Sequence, residues 1–259
     1  MRILMVGDVV GRPGRNALDK LLPQLREKHR ADFVIVNAEN TAGGIGITRD
    51  IALHLLEDLP VDVITLGNHA WAKREVYNYL DEDQRVLRPA NYPTGAVGRG
   101  FAVYPTSAGP VAVIALQGRI FMDPTDNPFS VVLDLIKIAR ESTSVIFIDF
   151  HAEATSEKSA MGWHLDGQVS AVIGTHTHVQ TADEQILPKG TAYLTDVGMT
   201  GPTHSVIGMN VDSVLPRFIT QMPTRFDVAD GPAQLCAVLV EIDGDTGLAT
   251  GIERIQVRA

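Results

Sequence analysis

The chain alternates short apolar runs with segments in which apolar residues recur at helical spacing. Residues 2–7, 32–38 and 61–66 are nearly continuous apolar runs, which predict buried strands. Residues 15–28 and 48–58 place their leucines on one helical face, and Thr48 is a suitable N-cap for the second helix. Strands that alternate with helices in this way predict parallel pairing with right-handed crossovers.

The second half of the chain adds hairpins to this pattern. Residues 101–118, 186–196 and 234–258 each contain two apolar runs around a turn signal such as Gly-Pro or Asp-Gly. Hairpins beside crossover units predict an α/β fold with a mixed sheet, or two packed sheets, and with helices outside. Residues 198–233 are rich in Gly, Pro and Met, and are predicted to run over the surface near the functional site.

Composition sets the class of protein. A chain of 259 residues with 45% hydrophobic residues can bury a large core, and no repeat or linker divides it, so residues 1–259 are predicted to form a single domain. No apolar run approaches the roughly 18 residues of a membrane span, and the N-terminus does not have the pattern of a signal peptide. We therefore expect a cytoplasmic protein without membrane attachment. The single cysteine, Cys236, lies in an apolar run and is predicted to be a buried structural thiol.

Charge limits the partners. The net charge is −9 and the isoelectric point is near 5.3. Such a field repels a long polyanion, so stable binding to duplex DNA is not expected. A small phosphate ester is compatible with this charge, because bound divalent cations would make the local potential positive.

Five apolar runs end at polar side chains that can bind a metal ion: the three strands above, VIFIDF before His151, and VIGT before His176. The carboxyl ends of neighbouring strands in an open α/β sheet meet at one edge, where ligands bind. Taken singly, each residue has another explanation, such as an asparagine in a turn or a buried histidine. Taken together, the carboxylate, amide and imidazole groups indicate a two-metal hydrolytic site. The candidate ligands are Asp8, Glu39, Asn40, Asn68, His151, His176 and His178.

Glu39 is the expected bridging ligand of that site. Each of its oxygens can reach one of two ions that lie about 3.5–4 Å apart, and a bridging hydroxide would attack the phosphorus. The other ligands divide into two groups, with Asp8, Asn40 and His178 for one ion and Asn68, His151 and His176 for the other. His69 follows a ligand and is not needed as one. It is the predicted general acid, because histidine exchanges protons near neutral pH.

Two motifs resemble those of the calcineurin-like metallophosphoesterases. Residues 67–69 (GNH) are similar to the asparagine–histidine motif of that superfamily, and residues 174–178 (GTHTH) to its closing motif. Two positions depart from the usual pattern. Val10 stands where a histidine is usual after the first aspartate, and Glu39 stands where the superfamily usually has aspartate.

A closer resemblance covers nearly the whole chain. GDVVGRPGR, VNAENTAGGIGIT, TLGNHAW, FIDFHAEATSEK and GTHTHVQTAD resemble segments of the YmdB family of bacterial metallophosphoesterases, in which both departures are expected. The resemblance implies a four-layer α/β/β/α sandwich with mixed sheets, homo-oligomers, and two metal ions, commonly iron or manganese. It also implies phosphodiesterase activity on 2′,3′-cyclic nucleotides, with the seven ligands above and with His69 as the acid.

Two other functions fit parts of this pattern. Capsule-synthesis proteins of the poly-γ-glutamate type share related motifs, but they are usually membrane-attached or exported, and neither an anchor nor a signal is recognised here. Alternatively, the metal site could organise the surface of a regulatory protein that acts through partners. Metal-loaded protein that captures a specific partner and turns over no phosphodiester would favour that second function.

Overall fold

The computed structural model describes residues 1–259 and contains two β-sheets. Most strands coincide with the apolar runs of the sequence and are buried along their length. The strands are β1 (Arg2–Val6), β2 (Asp8–Val9), β3 (Phe33–Asn37), β4 (Val63–Thr65), β5 (Val86–Leu87), β6 (Phe101–Tyr104), β7 (Val111–Gln117), β8 (Ile146–His151), β9 (Ala171–Thr175), β10 (Gln185–Ile186), β11 (Ala192–Leu194), β12 (Met199–Pro202), β13 (Ala233–Ile242) and β14 (Ala249–Arg258).

Six α-helices connect or follow these strands. Thr48 caps the second helix as predicted, since its side chain accepts a hydrogen bond from the backbone N–H of Ile51. No helix combines the length and the apolar character that crossing a membrane requires. The helices are α1 (Gly11–His29), α2 (Arg49–Leu53, continued by a π-helical turn over His54–Asp58), α3 (Tyr77–Glu82, preceded by a 3₁₀ turn over Arg74–Val76), α4 (Pro128–Ala139), α5 (Thr155–His164) and α6 (Val211–Thr220).

Both sheets are mixed. The first has the order β2-β12-β13-β1-β3-β4-β5, with β14 also paired to β13. Its strands β1, β3, β4 and β5 are parallel, and β13 is antiparallel to β1. The second has the order β10-β11-β9-β8-β7-β6, in which the four central strands are parallel and the two edge strands are antiparallel. The parallel strands within each sheet therefore end at a common edge.

Three apolar clusters separate four layers. Side chains alternate along β1, so that Leu4 and Val6 pack towards α1 while Ile3 and Met5 pack towards the second sheet. A third cluster, which includes Phe150, lies between the second sheet and helices α4 and α5. The layers are thus helix, sheet, sheet and helix, and the predicted α/β/β/α sandwich is confirmed.

Two local expectations were wrong. The helix predicted over residues 15–28 begins earlier, at Gly11, and Pro13 fits its first turn because that turn leaves the N–H groups unpaired anyway. Gly14 lets the helix approach the backbone carbonyl of Thr200 where a Cβ would clash. Residues 198–233 are not only a surface segment, since they contain the buried strand β12 and the helix α6.

Cys236 has the structural role expected of it. The thiol lies on β13, is 1% exposed and has no disulfide partner. Burial raises the pKa of the Cys236 thiol to about 11, which keeps it protonated at neutral pH.

Candidate metal centre

The predicted ligands lie together at the edge where the parallel strands of both sheets end. None of the eight site residues is remote from the others. Asp8 and His151 are fully buried, whereas Glu39, Asn40, His69, His176 and His178 also line an open cavity. In chain order, they are Asp8 at the start of β2, Glu39 and Asn40 after β3, Asn68 and His69 after β4, His151 at the end of β8, and His176 and His178 after β9.

The first group of candidate ligands consists of Glu39, Asn68, His151 and His176, and His151 lies at its centre. Its Nε2 lies 3.0 Å from Glu39 Oε1, 3.0 Å from Asn68 Oδ1 and 2.9 Å from His176 Nδ1. A ring nitrogen carries at most one hydrogen, so it cannot satisfy three potential acceptors. The ligand atoms of Glu39, His151 and His176 lie within 4.8 Å of one another. This donor set fits a cation, which carboxylate, amide and imidazole groups can bind together.

Asp8 and His178 form the second group. Asp8 Oδ1 lies 3.7 Å from His178 Nε2, and it is buried without a hydrogen-bond partner. His178 Nδ1 contacts the carbonyl oxygen of Ile207 at 2.9 Å, and only a protonated Nδ1 can donate there. In the neutral ring, the lone pair is therefore on Nε2, on the side of Asp8. An unpaired carboxylate oxygen beside an imidazole lone pair also fits a bound cation.

Glu39 lies between the two groups and is linked to His69. Its Oε2 accepts a hydrogen bond of 3.0 Å from the backbone N–H of His69, and its Oε1 faces His151. The side-chain amide of Asn40 contacts three partners: His69 Nδ1 at 2.8 Å through Oδ1, and His178 Nε2 at 3.1 Å and Glu39 Oε1 at 3.3 Å through Nδ2. Asn40 thus connects the second group to the predicted general acid.

The charges of the site depend on one another. Burial favours the neutral acid of Glu39, but His151 and His69 together hold the pKa of that carboxyl well below its usual range. Burial lowers the pKa of His151, but Glu39, Asp8 and Asp149 outweigh it and raise that pKa to about 9. Burial and the neighbouring His151 lower the pKa of His176 to about 3. Glu39 is therefore ionised and His176 neutral, which are the states that bind metals, whereas His151 must lose its Nε2 proton when a cation binds.

A buried hydrogen-bond chain orients His151. Thr175 Oγ1 donates to Asp149 Oδ1 at 2.7 Å and therefore accepts from His151 Nδ1 at 2.9 Å. Asn37 Nδ2 donates to the other oxygen of Asp149 at 3.1 Å. The chain places the hydrogen of a neutral His151 on Nδ1, so that Nε2 is available towards Glu39 and Asn68.

Removal of the Thr175 hydroxyl is expected to weaken metal binding. Thr175→Val keeps the shape but leaves His151 Nδ1 without an acceptor, and loss of such outer partners typically lowers metal affinity about 10- to 100-fold. Mn²⁺ titration by calorimetry measures the effect directly. Thr200→Val is the matched control, because the buried Thr200 hydroxyl has no partner. Equal Mn²⁺ affinities for Thr175→Val and the unmodified protein would contradict this role.

A buried ion pair supports the turn that carries His176 and His178. Lys158 Nζ lies 2.7 Å from Asp196 Oδ2, and both side chains are buried. The same oxygen accepts hydrogen bonds from the backbone N–H of Thr177 at 3.0 Å and from its hydroxyl at 2.7 Å. His176 and His178 have positive φ angles of 98° and 67°, which are unfavourable for non-glycine residues. Asp196 thus holds the turn in place between the two histidines.

The sequence indicated no role for these outer residues. Lys158 lies within FIDFHAEATSEK, one of the segments that carried the family resemblance. Nothing in that segment shows that its partner is Asp196, which follows β9 and β11 along the chain. Thr175 directly precedes the predicted ligand His176, and Asp149 lies two residues before the predicted ligand His151. Residues two apart in a strand point to the same face, so the sequence could have indicated that Asp149 lies on the same face of β8 as His151.

The site opens into a cavity of about 400 Å³. On one side it is lined by the polar groups described above. The apolar residues that line the cavity, which we call the apolar wall, are Ile45, Val206, Ile207, Met209, Val214, Phe218 and Phe226. Most of the apolar wall comes from the segment 198–233, which confirms that this segment runs near the site.

Comparison with known proteins identifies the family. A sequence profile of the family described as YmdB-like protein matches residues 4–255. The chain belongs to the YmdB-like family. The 2′,3′-cyclic-nucleotide 2′-phosphodiesterase of Bacillus subtilis (strain 168) is 50% identical over 257 residues, which cover 99% of this chain and 97% of that enzyme. The predicted class, a metal-dependent phosphoric diester hydrolase, is thereby confirmed.

Two crystal structures show the same fold. A hypothetical protein of Thermus thermophilus has a TM-score of 0.93 and 44% identity, and the match covers 100% of this chain and 99% of that one. A structure described as a novel phosphatase of Mycoplasma pneumoniae has a TM-score of 0.94 and 37% identity, with 100% and 93% of the two chains covered. The YmdB-like architecture therefore extends over the whole chain.

Proposed function

We propose that this YmdB-like chain, as a single domain over residues 1–259, is a dinuclear-metal-dependent phosphodiesterase that hydrolyses small phosphodiesters, and that 2′,3′-cyclic nucleotides are its substrates. The observation that carries the proposal is the convergence of Glu39 Oε1, Asn68 Oδ1 and His176 Nδ1 on His151 Nε2, with the unpaired Asp8 Oδ1 nearby, beside an open cavity. The substrate class is supported by the 50% identity to the B. subtilis enzyme.

Two cations would be held by the two groups of ligands, with Glu39 shared between them. Iron or manganese suits this mixture of carboxylate, amide and imidazole donors. When bound, such ions supply Lewis acidity and a water of lowered pKa. The remaining ligands would be Asp8, Asn40 and His178 for one ion, and Asn68, His151 and His176 for the other.

His69 has the position that a general acid needs. Its Nδ1 contacts Asn40 Oδ1, and its backbone N–H is held by Glu39, so the ring is fixed at the cavity with Nε2 free of these contacts. Hydrolysis of a 2′,3′-cyclic phosphate adds water to phosphorus and breaks the bond from phosphorus to O2′. His69 would give its proton to the departing O2′, which leaves a 3′-phosphate.

Activity is expected to require a divalent cation and to favour diesters. Protein treated with a chelator should hydrolyse neither 2′,3′-cyclic AMP nor a phosphomonoester, and Mn²⁺ should restore conversion of the cyclic nucleotide to 3′-AMP. Product formation is measured by chromatography over a panel of cyclic nucleotides and p-nitrophenyl phosphate, together with elemental analysis of the freshly purified protein.

Three outcomes would contradict the proposal. Activity that survives complete metal removal would exclude the metal-dependent mechanism. Faster hydrolysis of the monoester than of the diester would indicate a phosphatase, the activity by which the M. pneumoniae structure is described. Metal-loaded protein that turns over no diester would instead favour a regulatory role through partners.

A further inference from the structure

The apolar side chains of the wall offer no ligand to a metal ion. The wall and the polar groups of the site line the same cavity. Its volume of about 400 Å³ is more than a phosphate group alone needs. Phe218 is 75% exposed and Phe226 is 37% exposed, although large aromatic side chains gain free energy from burial. Two accessible aromatic rings beside a phosphodiester site are suited to a ligand with a flat apolar part.

The wall is held in place by the fold around it. Asn210 caps α6 by accepting hydrogen bonds from the backbone N–H groups of Asp212 and Ser213. Val214 is buried on this helix, and Phe218 follows one turn later on the same side. The guanidinium carbon of Arg217 lies 5.4 Å from the ring centroid of Phe226, which restrains that ring. Phe218 is therefore presented by a capped helix, and Phe226 packs against Arg217 of the same helix.

We propose that Phe218 and Phe226 form a subsite that stacks the base of a nucleotide whose phosphodiester lies against the metal centre. The inference rests on the proposed function, because it places the phosphodiester at the ligands of that site. Base–aromatic stacking needs only the flat face of the base, and both rings line the same cavity as His69 and His176.

The polar groups of the cavity indicate little discrimination between bases. Apart from the predicted site residues, the polar side chains that line it are Glu153 and Thr177. Glu153 is paired with His176 Nε2 at 3.1 Å, and the hydroxyl of Thr177 donates to Asp196. These contacts leave few polar atoms to read the edge of a base, so we infer that all four bases are accepted and that purines, with more stacking area, bind more tightly.

The test compares substrates with and without a base. For Phe218→Ala, KM for 2′,3′-cyclic AMP is expected to rise about 5- to 150-fold with kcat unchanged, which is the effect of losing one stacking partner. Glycerol 1,2-cyclic phosphate, which has the cyclic diester but no base, should keep its KM. Phe218→Trp should restore tight binding of the nucleotide. Calorimetric binding of 3′-AMP should weaken in Phe218→Ala by a similar factor.

Ile219→Ala is the matched control. Ile219 is 77% exposed on the same helix, next to Phe218, and does not line the cavity, so both KM values should stay unchanged. A Phe218→Ala variant that binds cyclic AMP normally, or that weakens both substrates equally, would overturn the subsite while the phosphodiesterase stands. If light scattering shows that Phe218→Ala dissociates into smaller species than the unmodified protein, Phe218 is a contact between copies of the chain and the stacking subsite is overturned. Unmodified protein that hydrolyses neither substrate would overturn the proposed function itself, and the subsite with it.

Discussion

Glu39→Gln is expected to lower kcat/KM for 2′,3′-cyclic AMP in the presence of Mn²⁺ by about 10²- to 10³-fold, the loss typical of removing one preorganised electrostatic group. The carboxylate is 1% exposed, and its two oxygens serve different partners, His151 Nε2 at 3.0 Å and the backbone N–H of His69 at 3.0 Å. Glutamine has the same shape but only one acceptor oxygen. Its amide nitrogen would oppose either the His69 N–H or the region where acceptors converge.

The loss of the Glu39 charge should also lower the metal content of the protein, which can be measured without following catalysis. Because glutamine lacks the negative charge of a carboxylate ligand, the variant should retain less metal after gel filtration, as measured by elemental analysis. Glu241→Gln is the matched control, since Glu241 pairs with Arg2 at 2.7 Å at the opposite end of β1 and is partly exposed. Equal rates and equal metal content for Glu39→Gln and the unmodified protein would remove Glu39 from the mechanism.

Strands and helices could be predicted from the sequence wherever their burial produces a local pattern of apolar residues. A strand such as β3 is buried on both faces, so it appears in the sequence as a nearly continuous apolar run. The helix α6 was missed although its apolar residues recur at helical spacing. Phe218 faces the cavity and Ile219 faces solvent, and Pro216 interrupts the helical pattern. The start of α1 depends on the contact between Gly14 and Thr200, which no local pattern reveals.

The site could be predicted as far as its ligands follow strand ends. A polar residue at the end of an apolar run is a local signal, and the topology converts it into proximity, as for Asp8 and His151, which lie 3.9 Å apart. The supporting residues could not be found in this way. Lys158 and Asp196 are 38 residues apart, and their pairing depends on how α5 packs beside β11. The apolar wall likewise depends on where a connecting segment folds back over the site.

The buried ion pair between Lys158 and Asp196 should contribute to the stability of the fold as well as to metal binding. Lys158→Met is expected to lower the free energy of unfolding by about 3–5 kcal/mol, because it leaves the carboxylate of Asp196 buried without its counter-charge. Three donors would remain on Asp196, namely the backbone N–H and hydroxyl of Thr177 and the N–H of Gly198. They keep the carboxylate hydrogen-bonded but do not neutralise it. Urea unfolding followed by circular dichroism gives the free-energy difference.

Lys137→Met separates burial from the ion pair itself. Lys137 Nζ lies 2.7 Å from Asp134 Oδ1, the same distance as in the Lys158 pair, but both of its side chains are about three-quarters exposed. Exposed pairs contribute about 0–1 kcal/mol, so the same substitution should have little effect there. If Lys158→Met destabilises the protein no more than Lys137→Met does, the buried pair does not hold the turn between His176 and His178. A large destabilisation confined to Lys158→Met, with weaker Mn²⁺ binding at temperatures where the variant is folded, would link the stability of this turn to the metal centre.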